Sequence, residues 1–125
     1  MKHKFVLEPD DQMPGINFDP TTGNFQLWGR SIPHNAELVF TPLMDWLEEY
    51  LINPAPNTRL EFHLDYFNTS TQKYLAELFR KLDRLKKSGS DVQIIWSYDH
   101  EDEDMRLIGD QFQMLVSVRL EFKAH

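Results

Sequence analysis

The chain of 125 residues contains no cysteine, which excludes disulfides, thiol nucleophiles and thiolate metal sites. Its five glycines form no Gly-rich phosphate loop, and neither a Gly-x-Ser-x-Gly elbow nor a kinase signature is present. The sequence therefore predicts neither catalysis nor a cofactor. Positive charge is also scarce: thirteen Lys and Arg stand against twenty Asp and Glu, for a formal net charge of -7. Such a field repels nucleic acid phosphates and anionic lipid surfaces, so the expected partner is a protein or a small ligand, with no nucleic acid and no membrane. No apolar run approaches the roughly 20 residues needed to span a bilayer. The apolar stretch in the opening "MKHKFVLEPDDQMPG" is too short for a secretory signal, and the expected location is the cytoplasm.

Length and a 41% hydrophobic content fit one domain with one core. Residues 1–14 carry charges, two prolines and little pattern, and read as a flexible or weakly paired lead-in to a domain over 15–125. Two short runs, Ile16 to Phe18 and Asn24 to Trp28, flank the turn-rich Asp19-Pro20-Thr21-Thr22-Gly23 and predict a hairpin. Leu38, Val39, Met44, Trp46, Leu47, Tyr50 and Leu51 follow helical spacing. Pro42 interrupts them, so a new start with Thr41 as N-cap and Pro42 in the first helical position is expected, with a broken or kinked entry.

In "TRLEFHLDYF", Leu60, Phe62, Leu64 and Tyr66 alternate with Arg59, Glu61, His63 and Asp65, as in a strand with one buried face. Tyr74, Leu75, Leu78, Phe79, Leu82 and Leu85 then define one helical face, closed by Lys and Arg and by Gly89. "DVQIIWSYD" reads as a strand, "EDEDMRLIGDQFQML" as a helix and "SVRLEFK" as a final strand. The order β-β-α-β-α-β-α-β predicts an α/β domain with a mixed, largely parallel sheet and right-handed crossovers. Ligands or partners of such sheets engage the loops leaving the carboxyl ends of the strands, here Arg30 to Ala36, Phe67 to Thr71 and Ser97 to Glu101.

The second of these loops holds the polar run Asn68-Thr69-Ser70-Thr71, where strand periodicity gives way to helical periodicity. All four are good helix caps. One would suffice, and four leave spare hydroxyls beside the positive end of a helix, where a phosphoryl group is stabilised. Spacing leaves both readings open: a cap, or a phosphorylation or anion site.

The element order with a phosphorylatable hydroxyl opening the second helix resembles the STAS domain of anti-sigma factor antagonists, whose motif reads Asp-Ser-Ser/Thr-Gly. Here Asn68 takes the place of Asp, and Thr71 that of Gly. "YFNTSTQKYLAELF", "IIWSYDHED", "GRSIPHNAEL" and "DWLEEYL" are more similar to the SiaC family of regulatory phosphoproteins, over about Gly15 to Phe122. That resemblance implies a STAS-like fold in which Thr69 is phosphorylated by a partner protein kinase and dephosphorylated by a PP2C-type phosphatase. It further implies that the unphosphorylated form binds and activates a diguanylate cyclase, raising cyclic di-GMP and promoting biofilm formation. Partner contacts would come from Asn68, Thr69, Ser70, Thr71, Tyr98 and Asp99.

Two other outcomes remain open on the residues. A STAS-type anti-sigma factor antagonist would share the switch and differ in partner. A small metal-dependent enzyme would draw on His63, Asp65 and the acidic run 99–104, although consecutive carboxylates do not point at one centre and acidic residues favour helix N-termini; the run reads as a solvated helix start. Trp28, Trp46 and Trp96 are expected to pack in the core or at its edge.

Overall fold

The computed structural model describes residues 3–125. The chain runs β1 (Phe5–Leu7), β2 (Gly15–Phe18), β3 (Asn24–Ser31), α1 (Ala36–Ile52), β4 (Asn57–Phe67), α2 (Thr69–Lys87), β5 (Asp91–Tyr98), α3 (Glu103–Gln113) and β6 (Leu120–Ala124). The six strands form one sheet in sequence order. β1 to β3 pair antiparallel and β3 to β6 parallel, so the expected mixed, largely parallel α/β domain forms. Three right-handed crossovers stepping in one direction put all three helices on the same face.

The predicted hairpin joins β2 to β3, with Gly15 opposite Trp28 and Phe18 opposite Phe25. Asp19 Oδ1 accepts the Thr21 N–H at 2.9 Å, and Gly23 closes the turn at φ +78, where a Cβ would lie 1.9 Å from the Asn57 carbonyl oxygen. The lead-in carries β1, whose Phe5, Val6 and Leu7 pair with Phe18, Asn17 and Ile16. Three residues are too few for alternation to register, so the strand is visible only in its pairing.

α1 differs from its sequence expectation. It is continuous from Ala36, with Asn35 as N-cap and Pro42 inside. The hydrogen bond that proline cannot make would have gone to the Leu38 carbonyl. Leu38 and Pro42 both lie on the exposed side, so the lost bond falls away from the core, and the buried face of Val39, Phe40, Leu43, Met44 and Leu47 holds the helix to the sheet.

β4 is the strand the alternation promised: Leu60, Phe62 and Leu64 are buried while Arg59, Glu61 and His63 stay half-buried on the opposite face. Pairing then shifts from Gly29 opposite Leu64 to Arg30 opposite Tyr66. The bulge leaves Asp65 and Tyr66 exposed and returns Phe67 to the core. Trp96 stacks on Phe62 with ring centroids 3.9 Å apart, and its indole N–H donates to the Met105 carbonyl at 3.1 Å, tying α3 to β5. Trp46 is half-buried against Phe18, Phe25 and Tyr50. Trp28 departs from the expected packing: it is 37% exposed, because its place in the alternation of β3 turns it to the face without helices.

α1 and α2 are joined by Glu48, which pairs with Lys81 and Arg84; the hydrogen bonds they donate, and then their charges, outweigh burial and hold its carboxyl below the usual range. Asp83 is buried on α2 and accepts from Ser117 N–H at 2.9 Å, Ser117 Oγ at 2.8 Å and Val118 N–H at 3.1 Å. Burial raises its pKa, but these bonds and Lys87 more than offset that and hold the carboxyl below its ordinary 3.8. Such a carboxylate stabilises the fold fully above the unfolded-state value and ceases to do so as pH falls through the lower folded-state value. Asp83→Ala strands two backbone donors and should cost about 2 to 4 kcal/mol in urea unfolding. In wild type, this contribution should fade only below about pH 3.8.

Candidate phosphorylation and partner-binding site

The loops leaving β3, β4 and β5 meet at the carboxyl end of the parallel strands. Asn68 closes β4 in extended geometry and caps α2. Its Oδ1 accepts the Thr71 N–H at 3.0 Å and the Ser70 hydroxyl at 3.1 Å. Its own N–H donates to the Ser31 carbonyl at 3.0 Å.

The four polar residues therefore divide the work. Asn68 is the cap. Thr71, expected to face a partner, is instead 0% exposed: its hydroxyl donates to the Ser31 carbonyl at 3.1 Å and lies 2.9 Å from the Ser31 Oγ. Helical geometry requires this, since Thr71 falls on the same face as Leu75, Leu78 and Leu82, which is buried. It anchors α2 to the end of β3 and is no docking residue.

Thr69 and Ser70 are exposed. The Ser70 hydroxyl is engaged by Asn68, whereas that of Thr69 has no partner among the described residues. Thr69 also opens α2, and the first-turn N–H groups of a helix lack intrahelical acceptors. A phosphoryl oxygen there would meet free donors and the positive end of the helix dipole. The geometry thus combines the two readings of the polar run, with a cap at 68, an anchor at 71 and an accessible acceptor hydroxyl at 69.

Tyr98 is half-buried and Asp99 exposed at the end of β5. Asp99 turns the chain toward α3, accepting the Glu101 N–H on Oδ1 at 3.0 Å and the Asp102 N–H on its carbonyl at 2.8 Å. Asp102 caps α3 through the Met105 N–H at 3.0 Å. Asp65, Asp99, Glu101 and Asp102 line an open acidic depression of about 460 Å³. Tyr98 and Asp99 share the carboxyl end with Asn68, Thr69 and Ser70 but make no hydrogen bond to them among the described residues.

His63 lies apart from this run and stacks on His125 at 4.8 Å. Among the described residues no three of His, Asp and Glu gather as a metal ion would require. Sequence reasoning missed Ser31, whose partner Thr71 is 40 positions away. It also missed the exposure of Leu38, at 75%, in the first turn of α1 and of Tyr66, at 55%, near the end of β4.

The SiaC family of regulatory phosphoproteins matches residues 7–125. The chain belongs to that family. It is 28% identical over 112 residues to an uncharacterized protein of Pseudomonas aeruginosa strain UCBPP-PA14, covering 90% of this chain and 89% of that one. The fold superposes on apo-SiaC of P. aeruginosa with a TM-score of 0.91 at 24% identity, covering 98% of this chain and 99% of the other. It matches equally well, with a TM-score of 0.91 at 26% identity over 97% and 99% of the two chains, the P. aeruginosa SiaC that was crystallised with the diguanylate cyclase SiaD, of which it is the activator.

For a SiaC-family chain built this way, Asn68→Ala should lower stability by about 1 kcal/mol through loss of the cap. Thr71→Val should cost about 1 to 2 kcal/mol by leaving the buried Ser31 hydroxyl and carbonyl short of a partner. Ser70→Ala should stay within about 0.5 kcal/mol of wild type. Urea unfolding of the three variants checks the order.

Proposed function

We propose that this protein is a phosphorylation-controlled partner switch that binds and activates a diguanylate cyclase, and so promotes cyclic di-GMP signalling and biofilm formation. The single observation carrying the reading is its likeness along nearly the whole chain to a SiaC crystallised as activator of a diguanylate cyclase. The docking surface is the carboxyl end of the sheet, with Asn68, Thr69 and Ser70 at its centre and Tyr98 and Asp99 beside them. Thr69 receives phosphate from a cognate protein kinase and loses it to a PP2C-type phosphatase. The protein acts by binding, in the cytoplasm, with no catalytic step and no cofactor of its own.

The effect of phosphate follows from the position of Thr69. A group carrying about -1.5 to -2 charges at a helix N-terminus strengthens that helix. Loss of partner binding on phosphorylation therefore does not come from melting α2. It comes from charge and bulk on a surface that docks flush, where desolvating a dianion is costly.

Thr69→Asp should accordingly melt no lower than wild type and yet stimulate the cyclase at least about tenfold less at equal concentration, a loss of some 1.4 kcal/mol in the complex. Thr69→Val should activate nearly as wild type and become insensitive to the kinase. Cyclic di-GMP production with purified cyclase checks both. A Thr69→Asp protein that activates as well as wild type would remove the switch.

A further inference from the structure

A sheet laid down in sequence order has two edges, β1 and β6, and here they are unlike. β1 is three residues long with Pro9 just beyond it, the kind of short, proline-flanked edge that resists pairing with another chain. β6 is five residues long, pairs only with β5, and contains neither proline nor a break in register.

Which of its backbone groups stay open follows from the last rung. The His125 N–H donates to the Tyr98 carbonyl at 2.9 Å, and the His125 carbonyl accepts the His100 N–H at 2.9 Å, so His125 bonds toward β5. Bonding direction alternates along a strand, and Glu121 and Lys123 bond the same way. Phe122 and Ala124 therefore direct N–H and C=O outward, where they have no partner among the described residues. At the start of the strand the Leu120 N–H is held by Gln113 Oε1 at 2.8 Å, which leaves its carbonyl open.

The side chains add a charge pattern. Glu121 and Lys123 are exposed on the face without helices, and neither has an ion pair among the described residues. Their neighbours on β5, Gln93, Ile95 and Ser97, are uncharged. On the helix face the Arg106 guanidinium lies 3.4 Å from the Phe122 ring centroid and is paired with Asp110, so that side is already balanced.

We propose that β6 is the interface of a two-fold dimer, in which the edges of two copies of this chain pair antiparallel about Phe122. In that register Phe122 exchanges two hydrogen bonds with its own counterpart, and each Ala124 N–H reaches the Leu120 carbonyl of the other copy. Every open donor of the edge is used. Glu121 then stands opposite Lys123, twice by symmetry, in the non-hydrogen-bonded pairs where Cα atoms are about 4.5 Å apart and side chains meet most closely. A pairing centred on Lys123 would oppose lysine to lysine, and one centred on Leu120 would need the N–H that Gln113 holds. The strand is thus its own complement, which selects a second copy as the occupant. The two-fold axis points the carboxyl ends of the two sheets in opposite directions, and β5 and β6 separate β4 from the seam. Thr69 of each copy stays clear of it.

Sedimentation velocity of the full chain from about 1 μM to about 1 mM tests this. Wild type should move with concentration from 14.9 kDa toward twice that mass. Lys123→Glu and Glu121→Lys each set like charges opposite one another at both pairs, and each should weaken the dimer about tenfold. The double exchange should restore it. So should an equimolar mixture of the two single variants, one carrying two cations on the seam and the other two anions; recovery on mixing shows that both variants are folded. Thr69→Asp should dimerise as wild type. A monomer at every concentration overturns the proposal, as does a dimer that neither single variant weakens, or a double exchange and a mixture that both stay monomeric. Assembly that continues beyond two copies, as head-to-tail edge pairing would give, also overturns it, and loss of the dimer in Thr69→Asp would move the contact to the start of α2.

Discussion

The handedness of the crossover connection governs this molecule. Each passage from one parallel strand to the next turns right-handed, and the strands are laid down in sequence order. The three helices therefore cover one face, and each starts at the carboxyl end of the sheet. That single constraint brings the ends of β3, β4 and β5 together with the helix N-termini, leaves the other sheet face bare and sets a helix dipole under Thr69. No residue in the polar run needs special chemistry for this. The fold supplies the field and the sequence supplies the hydroxyls.

Within that frame, the Ser31–Thr71 pair makes the polar run specific. A cap alone would hold α2 through one side chain. The buried bond between the two hydroxyls, 2.9 Å long, together with the Asn68 N–H on the Ser31 carbonyl, fixes the first turn of α2 to the end of β3. A fixed first turn presents Thr69 outward in one orientation, as the proposed switch requires. Flanking residues then act as structure, which leaves the Thr69 hydroxyl exposed and without a partner among the described residues.

Much of this was legible in the chain. The alternation from Arg59 to Tyr66 marked β4, helical spacing from Tyr74 to Leu85 marked α2, and their junction at Asn68-Thr69-Ser70-Thr71 located the candidate site. These signals are local, and local periodicity reports which face is buried. What it missed depended on contacts far apart in sequence. β1 is three residues long and is defined only by its pairing with β2. α1 runs through Pro42 because packing of its buried face outweighs one lost hydrogen bond on the solvent side. Thr71 looked equivalent to Thr69 until its partner, 40 positions away, was seen. Trp28 read as a packing residue because composition cannot tell a covered face from a bare one.

The central proposal is that Thr69 takes the phosphate, because its hydroxyl alone in the polar run is exposed and without a partner among the described residues. Fragment mass spectrometry of the folded protein after treatment with its cognate kinase tests it most directly. A single phosphate on Thr69, removed by a PP2C-type phosphatase, is the expected result. Phosphate on Ser70 would contradict the division of labour between cap and switch, and phosphate on Thr71 would contradict the anchored helix start itself.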